Sequence, residues 1–232
     1  MATKRKFSLY LPKSAIFIWA FSFVVICASF FIFEGENYLS LISSLLGITS
    51  IIYCSKGNPI GHGIGIIFCI LYALISFSYN YYGEVITYLG MTLPMALISL
   101  IAWIKNPFKE DSVEVKVNHI SKKEFLFALV LSAIVTTIFY FVLSAFGTSN
   151  LLISTVSVTT SFIAVYLTFR RSPFYAIAYG VNDIVLMALW ILATIENITY
   201  LSVVICFLTF LIMDIYGFIS WLKMEKQQKL EN

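Results

Sequence analysis

Apolar residues fall into eight long blocks separated by short polar connections. The blocks run Ser14–Phe33, Leu39–Tyr53, Gly61–Phe77, Val85–Ile104, Phe125–Phe146, Leu151–Phe169, Phe174–Ile195 and Tyr200–Trp221. Uncharged stretches of this length match a hydrocarbon core about 30 Å thick, the second and third being short for it. A helix satisfies its backbone N–H and C=O groups within its own segment, which the bilayer demands. The pattern therefore predicts an all-α integral membrane protein with eight transmembrane helices. The first block is long enough to span, which argues against a cleaved signal peptide. Gly and Pro mark short turns such as Gly57-Asn58-Pro59 and Ser172-Pro173. The one long connection, Lys105–Glu124, is polar and mixed in charge, and the tail Lys223–Asn232 is expected to carry the last helix into water.

Charge orients this array. The 15 Lys and Arg residues all occupy every second connection. Lys4, Arg5, Lys6 and Lys13 precede the first block, Lys56 follows the second, and Lys105, Lys109, Lys116, Lys122 and Lys123 fill the long loop. Arg170 and Arg171 follow the sixth block, and Lys223, Lys226 and Lys229 the eighth. The other connections carry Glu34, Glu36, Glu84 and Glu196. Positive charge is retained on the cytoplasmic side, so both termini are expected in the cytoplasm. Composition agrees: 60% of residues are hydrophobic and 12% charged, against about a quarter charged in soluble domains. With its basic residues beside a bilayer, the chain offers no footprint for nucleic acid. Cys27, Cys54, Cys69 and Cys206 lie in or at the edge of apolar blocks without a C-x-x-C pair, and read as small apolar fillers.

Blocks two to four resemble blocks six to eight. Leu41-Ile42-Ser43-Ser44 answers to Leu152-Ile153-Ser154-Thr155, and Thr87-Tyr88-Leu89 to Thr199-Tyr200-Leu201. Ile101-Ala102-Trp103-Ile104-Lys105 answers to Ile219-Ser220-Trp221-Leu222-Lys223, although Trp-apolar-Lys endings also arise from interfacial anchoring. A three-helix unit ends on the side opposite its start, so a second copy needs one extra helix to regain the orientation. Phe125–Phe146 has that position. The expected organisation is 1+3+1+3: residues 1–38 an N-terminal segment and extra helix, 39–105 the first repeat, 106–150 the loop and linker helix, 151–223 the second repeat, and 224–232 a tail. Parallel repeats are a transporter architecture whose site lies near mid-membrane between the halves.

This arrangement, with Tyr82-Gly83-Glu84-Val85 after Ile70-Leu71-Tyr72-Ala73 and Leu93-Pro94-Met95 before Trp103, resembles the PnuC family over residues 39–223. The resemblance implies a SWEET-like fold and a bacterial inner-membrane transporter of nicotinamide riboside or related vitamins and nucleosides. It also implies a homotrimer, and a cytoplasmic kinase that traps the imported compound by phosphorylation. Family members that carry nicotinamide riboside typically show W-x-x-W at the start of the seventh segment, a few residues before an Asn. Here Phe174-Tyr175-Ala176-Ile177-Ala178-Tyr179-Gly180-Val181-Asn182 keeps the Asn, while Tyr175 and Tyr179 stand in for the tryptophans with the spacing shifted by one. That departure favours a nucleoside over the vitamin.

An ionisable group at the centre of a membrane helix costs about 2.5–3.5 kcal/mol on insertion scales and needs a reason to be there. Two acids are expected deep in the bilayer, Asp183 and Asp214, with no basic residue deep enough to pair with either. Helical spacing sets Tyr179, Asn182, Asp183, Leu186, Met187 and Trp190 on one face. An aromatic ring, an amide and a carboxylate on one face suit a flat heterocycle attached to a sugar. Asn182 and Asp183 are the candidate polar contacts, and Tyr72, Tyr88, Tyr175, Tyr179 and Trp190 the candidate stacking surfaces. The same polar pair, and Asp214 more readily, would also serve to bond neighbouring helices. His62 is expected in solvent at the cytoplasmic boundary, Gly61, Gly63 and Gly65 to allow close helix approach, and Pro94 to kink the fourth block. No cofactor, metal or ATP site is expected: an intramembrane enzyme needs a clustered catalytic set, and His62 and His119 both lie near or in loops. Proton-coupled symport, carriage of thiamine or another vitamin, and a non-transporting receptor are the other readings.

Overall fold

The computed structural model describes residues 10–78, 81–148 and 150–231; Lys4, Arg5 and Lys6 of the basic N-terminus lie outside them. Among the described residues, eight apolar helices follow one another: α1 (Lys13–Glu34), α2 (Tyr38–Cys54), α3 (Ile60–Ser78), α4 (Tyr82–Lys105), α5 (Lys122–Ala145), α6 (Leu151–Phe169), α7 (Tyr175–Glu196) and α8 (Leu201–Glu231). Each contains the expected apolar block to within three residues, except that α5 ends one residue early, α7 and α8 each start one residue late, and α8 runs ten residues further. Seven spans are long and apolar enough to cross a membrane, and α2, with 17 residues, is the short one. At 1.5 Å per residue α2 is about 25 Å long, a span that modest bilayer thinning accommodates.

Local chemistry sets the ends. Pro12 precedes α1, and Gly35 terminates it in a left-handed conformation (φ 67°) after a π-helical turn over Phe30–Glu34. Asn37 caps α2 by accepting from Ser40 N at 3.3 Å. Ser121 caps α5 by accepting from Glu124 N at 3.1 Å, the S-x-x-E spacing of a capping box. In α4, Pro94 has no N–H for the Gly90 carbonyl, and the chain answers with a π-helical turn over Tyr88–Thr92 just before Leu93.

Six helices form a closed ring. In chain order α2 packs on α3 and α3 on α4, then α6 on α7 and α7 on α8; α4 meets α6 and α8 returns to α2. Helix α1 leans on the outside of the α8–α2 seam, and α5 packs chiefly on α6, with Leu143 and Phe139 reaching α4 at Gly83 and Gly90. Gly61 allows the tightest crossing, α3 on α2. A Cβ there would stand 2.7 Å from both Cys54 N and Ser50 O. Gly65 approaches Ser50 similarly, while Gly63 faces open space.

Lys13, Lys56, Arg170 and Arg171 share one end of the array with the long loop and the end of α8. That loop is tied down rather than free. Val115 is fully buried and its N–H donates to Gly57 O at 3.0 Å. Asn118 donates from N and Nδ2 to the carbonyls of Arg171 (3.0 Å) and Arg170 (2.9 Å). Gln228, on the extension of α8, donates to Val115 O (3.0 Å) and Glu114 Oε1 (2.7 Å) and accepts from Val117 N (2.9 Å). Burial raises the Glu114 carboxyl above its ordinary value, and the Gln228 amide pulls it partly back. These contacts, with the Lys109–Glu231 ion pair, explain why α8 stays helical past Trp221, while the Arg170–Glu124 ion pair ties the end of α6 to the start of α5.

Three expectations about individual residues are corrected. Glu84 does not sit in an outer connection: it belongs to the first turn of α4 and is 2% exposed, a third buried acid beside Asp183 and Asp214. His62 is not in solvent but buried against Trp103, with ring centroids 4.2 Å apart. Trp103 and Trp221 are no interfacial anchors, since both are fully buried.

Candidate functional site

A cavity of about 130 Å³ occupies the centre of the ring, and all six ring helices line it. Helix α2 presents Gly47 and Ser50, and α3 presents His62 and Phe68. The π-helical turn of α4 directs Tyr88 and Thr92 inward, and α6 adds Ser161 and Thr168. Helix α7 supplies Tyr175, Tyr179, Asn182 and Asp183, and α8 supplies Phe210 and Asp214. Gly47 is small because Phe210 passes over it: a Cβ there would lie 2.3 Å from the ring's Cζ. Small-molecule sites are usually about 300 Å³ or more, so a nucleoside enters only if these rings move apart.

The polar groups of the wall are ordered. Asn182 Oδ1 accepts from Thr160 Oγ1 at 2.8 Å and from Ser161 Oγ at 2.9 Å, which leaves its NH₂ as the group available to a ligand. Asp183 on α7 and Asp214 on α8 both line the cavity where these two helices pack. Asp183 Oδ2 and His62 Nε2, both buried, have no hydrogen-bond partner in the protein. His62 Nδ1 lies 3.9 Å from Cys54 Sγ.

Of the seven candidate residues, five line this cavity: Tyr88, Tyr175, Tyr179, Asn182 and Asp183. Tyr72 and Trp190 lie outside it, at the Glu-bearing end, where Trp190 Nε1 donates to Tyr72 OH at 3.1 Å beside a separate void of about 20 Å³. Tyr72 packs behind the cavity wall, against Tyr88, Phe68 and Phe207 with ring centroids 4.4, 5.6 and 6.2 Å away. Asp214, given chiefly a structural part in the sequence, faces the same space as Asp183. Ser161, Ser50, Thr92, Phe68 and Phe210 were not singled out. A signal existed for the first: α6 carries Ser154, Ser157, Ser161 and Thr168 at helical spacing, and all four are buried. The phenylalanines had none, because aromatic residues occur throughout the blocks.

Each end of the cavity is closed by aromatic side chains. At the basic end Trp103 and Trp221 stand 5.3 Å apart with Tyr175 against them. Trp103 Nε1, on α4, donates to Thr168 O on α6 at 2.9 Å, and Trp221 Nε1, on α8, donates to Cys54 O on α2 at 2.9 Å. Helix α4 is thus bonded to α6, and α8 to α2. At the opposite end Tyr72, Tyr88, Trp190, Tyr81 and Phe207 close the space.

A solved crystal structure of the vitamin B3 transporter PnuC has the same fold, with a TM-score of 0.83 over 97% of each chain and 22% sequence identity. Among curated proteins, the nicotinamide riboside transporter PnuC of Neisseria mucosa is 25% identical over 214 residues, 90% of this chain and 81% of that one. The nicotinamide riboside transporter PnuC of Haemophilus influenzae is 24% identical over 212 residues, 90% of each chain. The sequence model described as the nicotinamide mononucleotide transporter matches residues 37–223, which take in α2 to α7 and α8 as far as Lys223. The chain is therefore a multi-pass bacterial membrane protein that belongs to the nicotinamide mononucleotide transporter family, the family of the PnuC transporters.

Proposed function

We propose that the protein is a facilitative importer of a small nucleoside-like compound, nicotinamide riboside or a related ribo- or deoxyribonucleoside, working by alternating access. The observation that carries this reading is a single central cavity walled by α2–α4 and α6–α8 together and shut at both ends by aromatic side chains. Such a cavity reaches one side or the other when the two three-helix units rock about it. In this reading the organisation is 1+3+1+3, with residues 39–105 and 151–223 as parallel repeats, 106–150 supplying the linker helix, and 1–38 and 224–232 flanking them. The basic end faces the cytoplasm, as the retention of positive charge requires. Asn182 and Asp183 bond the sugar or ring, and Tyr88, Tyr175 and Tyr179 supply faces for stacking. No Lys or Arg lines the cavity, so a phosphate group finds no partner there. That favours the riboside over the mononucleotide, and accumulation then follows from phosphorylation by a cytoplasmic kinase.

Uptake into proteoliposomes tests this. Radiolabelled nicotinamide riboside or a ribonucleoside should equilibrate across the membrane without an ion or pH gradient, show counterflow, and accumulate only when a nucleoside kinase and ATP are enclosed. Accumulation driven by a pH gradient alone would replace the facilitative reading with symport. Failure to carry any nucleoside would remove it.

A further inference from the structure

Arg171 stands where the backbone asks for a different residue. Helix α6 ends in a Schellman motif: Arg171 N donates to Thr168 O at 2.9 Å, and Ser172 N to Leu167 O at 3.0 Å. That closure puts Arg171 in the left-handed region (φ 58°), which glycine enters freely and a residue with a Cβ enters against steric resistance. The chain uses glycine for the comparable turns after α1, α2 and α5, at Gly35, Gly57 and Gly147. Backbone geometry alone therefore favours glycine after α6 as well. The side chain kept there needs a reason of its own.

That side chain is a cation without an anion. Among the described residues the ion pairs involve Lys109, His119, Arg170 and Lys229, and none involves Arg171. Arg171 is half-buried, and burial, with the charge of Arg170 beside it, pulls its guanidinium below its ordinary value. The neighbourhood adds positive charge. The first turn of α5 lies against the end of α6, where Glu124 meets Arg170 and the Tyr166 hydroxyl. Asn118, just before α5, bonds to the carbonyls of Arg170 and Arg171. Both contacts bring the exposed Lys122 and Lys123 to this corner, together with the positive end of the α5 dipole. Four cations there face one acid, Glu124. The residues that follow, Phe125, Leu126 and Phe127, are 43%, 62% and 58% exposed and begin the apolar length of α5. A diffusible phosphate would meet the cations and leave this apolar turn unused, whereas a phospholipid meets both.

We propose that the corner between the start of α5 and the end of α6 binds an anionic phospholipid from the leaflet on the basic side. Arg171, with Lys122 and Lys123, holds the phosphate, for which a guanidinium offers paired N–H donors. The acyl chains lie on Phe125, Leu126 and Phe127. Basic pockets beside membrane helices recognise headgroups in this way. Binding there is independent of what the cavity carries.

Native mass spectrometry on the full-length protein tests this with phosphatidylglycerol and phosphatidylcholine of identical chains, and with glycerol 3-phosphate as a soluble headgroup. Wild type should bind phosphatidylglycerol about tenfold or more tightly than phosphatidylcholine. Arg171→Gly relieves the backbone, so that variant should unfold in plain detergent at the same temperature or a higher one. It should nevertheless lose about fivefold of the lipid preference, the worth of one cation at a charged surface. K223Q/K226Q removes two exposed cations from α8 and should keep the preference within about twofold. Equal affinity for the two lipids in wild type, or an unchanged preference in Arg171→Gly, overturns the proposal. An equal loss in K223Q/K226Q would reduce the effect to diffuse surface charge and remove the site. Displacement of phosphatidylglycerol by glycerol 3-phosphate at comparable concentration would assign the cations to a soluble phosphate and remove the lipid.

Discussion

Asn182 shows how a single side chain is prepared for a ligand. Two hydroxyl donors from α6 hold its carbonyl oxygen, so the amide plane is fixed and the NH₂ is left over. Asn182→Ala should cost about 1–2 kcal/mol of stability, because Ser161 loses its acceptor while Thr160 still reaches the Ser157 carbonyl at 3.1 Å. Ligand affinity should fall by about tenfold, the worth of one buried hydrogen bond. Thermal unfolding in detergent and calorimetry measure the two separately. A variant that loses stability but binds as before would return Asn182 to a purely structural part. His62 gives the opposite test. Its Nε2 is buried without a partner, so His62→Phe should leave the unfolding temperature unchanged or raised while transport falls. Full transport in His62→Phe would make the ring packing for Trp103 and nothing more. Asn182 and Asp183 were legible in the sequence because amides and acids are rare inside membrane helices. Glu84 was not, because a first-turn residue beside Tyr82-Gly83 reads as part of a turn. Only its burial in the first turn of α4 reveals that it is inside.

At the scale of helices, length and polarity were enough to find all eight spans, since the bilayer admits few alternatives. What they left out is what neighbours decide. The extension of α8 past Trp221 depends on the buried Gln228 and its three bonds to the loop, partners more than a hundred positions away in the chain. The π-helical turn of α4 was half legible: Pro94 announced a disturbance, while its form, a widened turn that brings Tyr88 and Thr92 to the cavity, needed coordinates. The glycines of α3 make a sharper case. Gly61, Gly63 and Gly65 look alike in sequence, yet only Gly61 has backbone atoms of α2 within 3 Å of where a Cβ would stand. Gly61→Ala should therefore destabilise by about 1–3 kcal/mol, as overpacking does. Gly63→Ala should be neutral or slightly stabilising, since Ala is the better helix former by up to about 1 kcal/mol. Unfolding midpoints of the two variants in one detergent decide the matter. Equal effects would mean that the α2–α3 crossing relaxes freely and is not fixed by Gly61.

Over the whole molecule, the repeated Trp-apolar-Lys endings acquire a physical meaning. The endings were visible in the sequence, but their partners were not, because a backbone carbonyl has no residue type to mark it. Trp103 and Trp221 each reach across to the carbonyl at the end of the other unit's first helix, which makes a reciprocal latch at the basic end. On the transporter reading this latch must break whenever the cavity opens to that side. Trp103→Phe and Trp221→Phe each keep an aromatic ring but remove one buried hydrogen bond, while Thr168 O keeps the Arg171 N–H and Cys54 O the Gly57 N–H, so the cost is about 0.5–1.5 kcal/mol. Either variant should therefore shift the population towards the state open at the basic end by roughly two- to tenfold. Cys54 reports the shift, since its thiol is buried beside the latch and lines the cavity. With Cys27, Cys69 and Cys206 replaced by Ala, thiol labelling of Cys54 should be slow in the parent, faster in both Trp variants, and slowed again by saturating ligand. Trp103→Phe is the decisive arm. Trp221 bonds to Cys54 itself, so faster labelling in Trp221→Phe alone could be local loosening. Trp103 is bonded to α6 and reaches Cys54 only through ring contacts with His62 and Trp221, which a Phe ring retains, so faster labelling in Trp103→Phe reports loss of the α4–α6 bond. Labelling in Trp103→Phe as slow as in the parent would mean that the two tryptophans close the cavity as separate packing contacts, and the reciprocal latch would be abandoned.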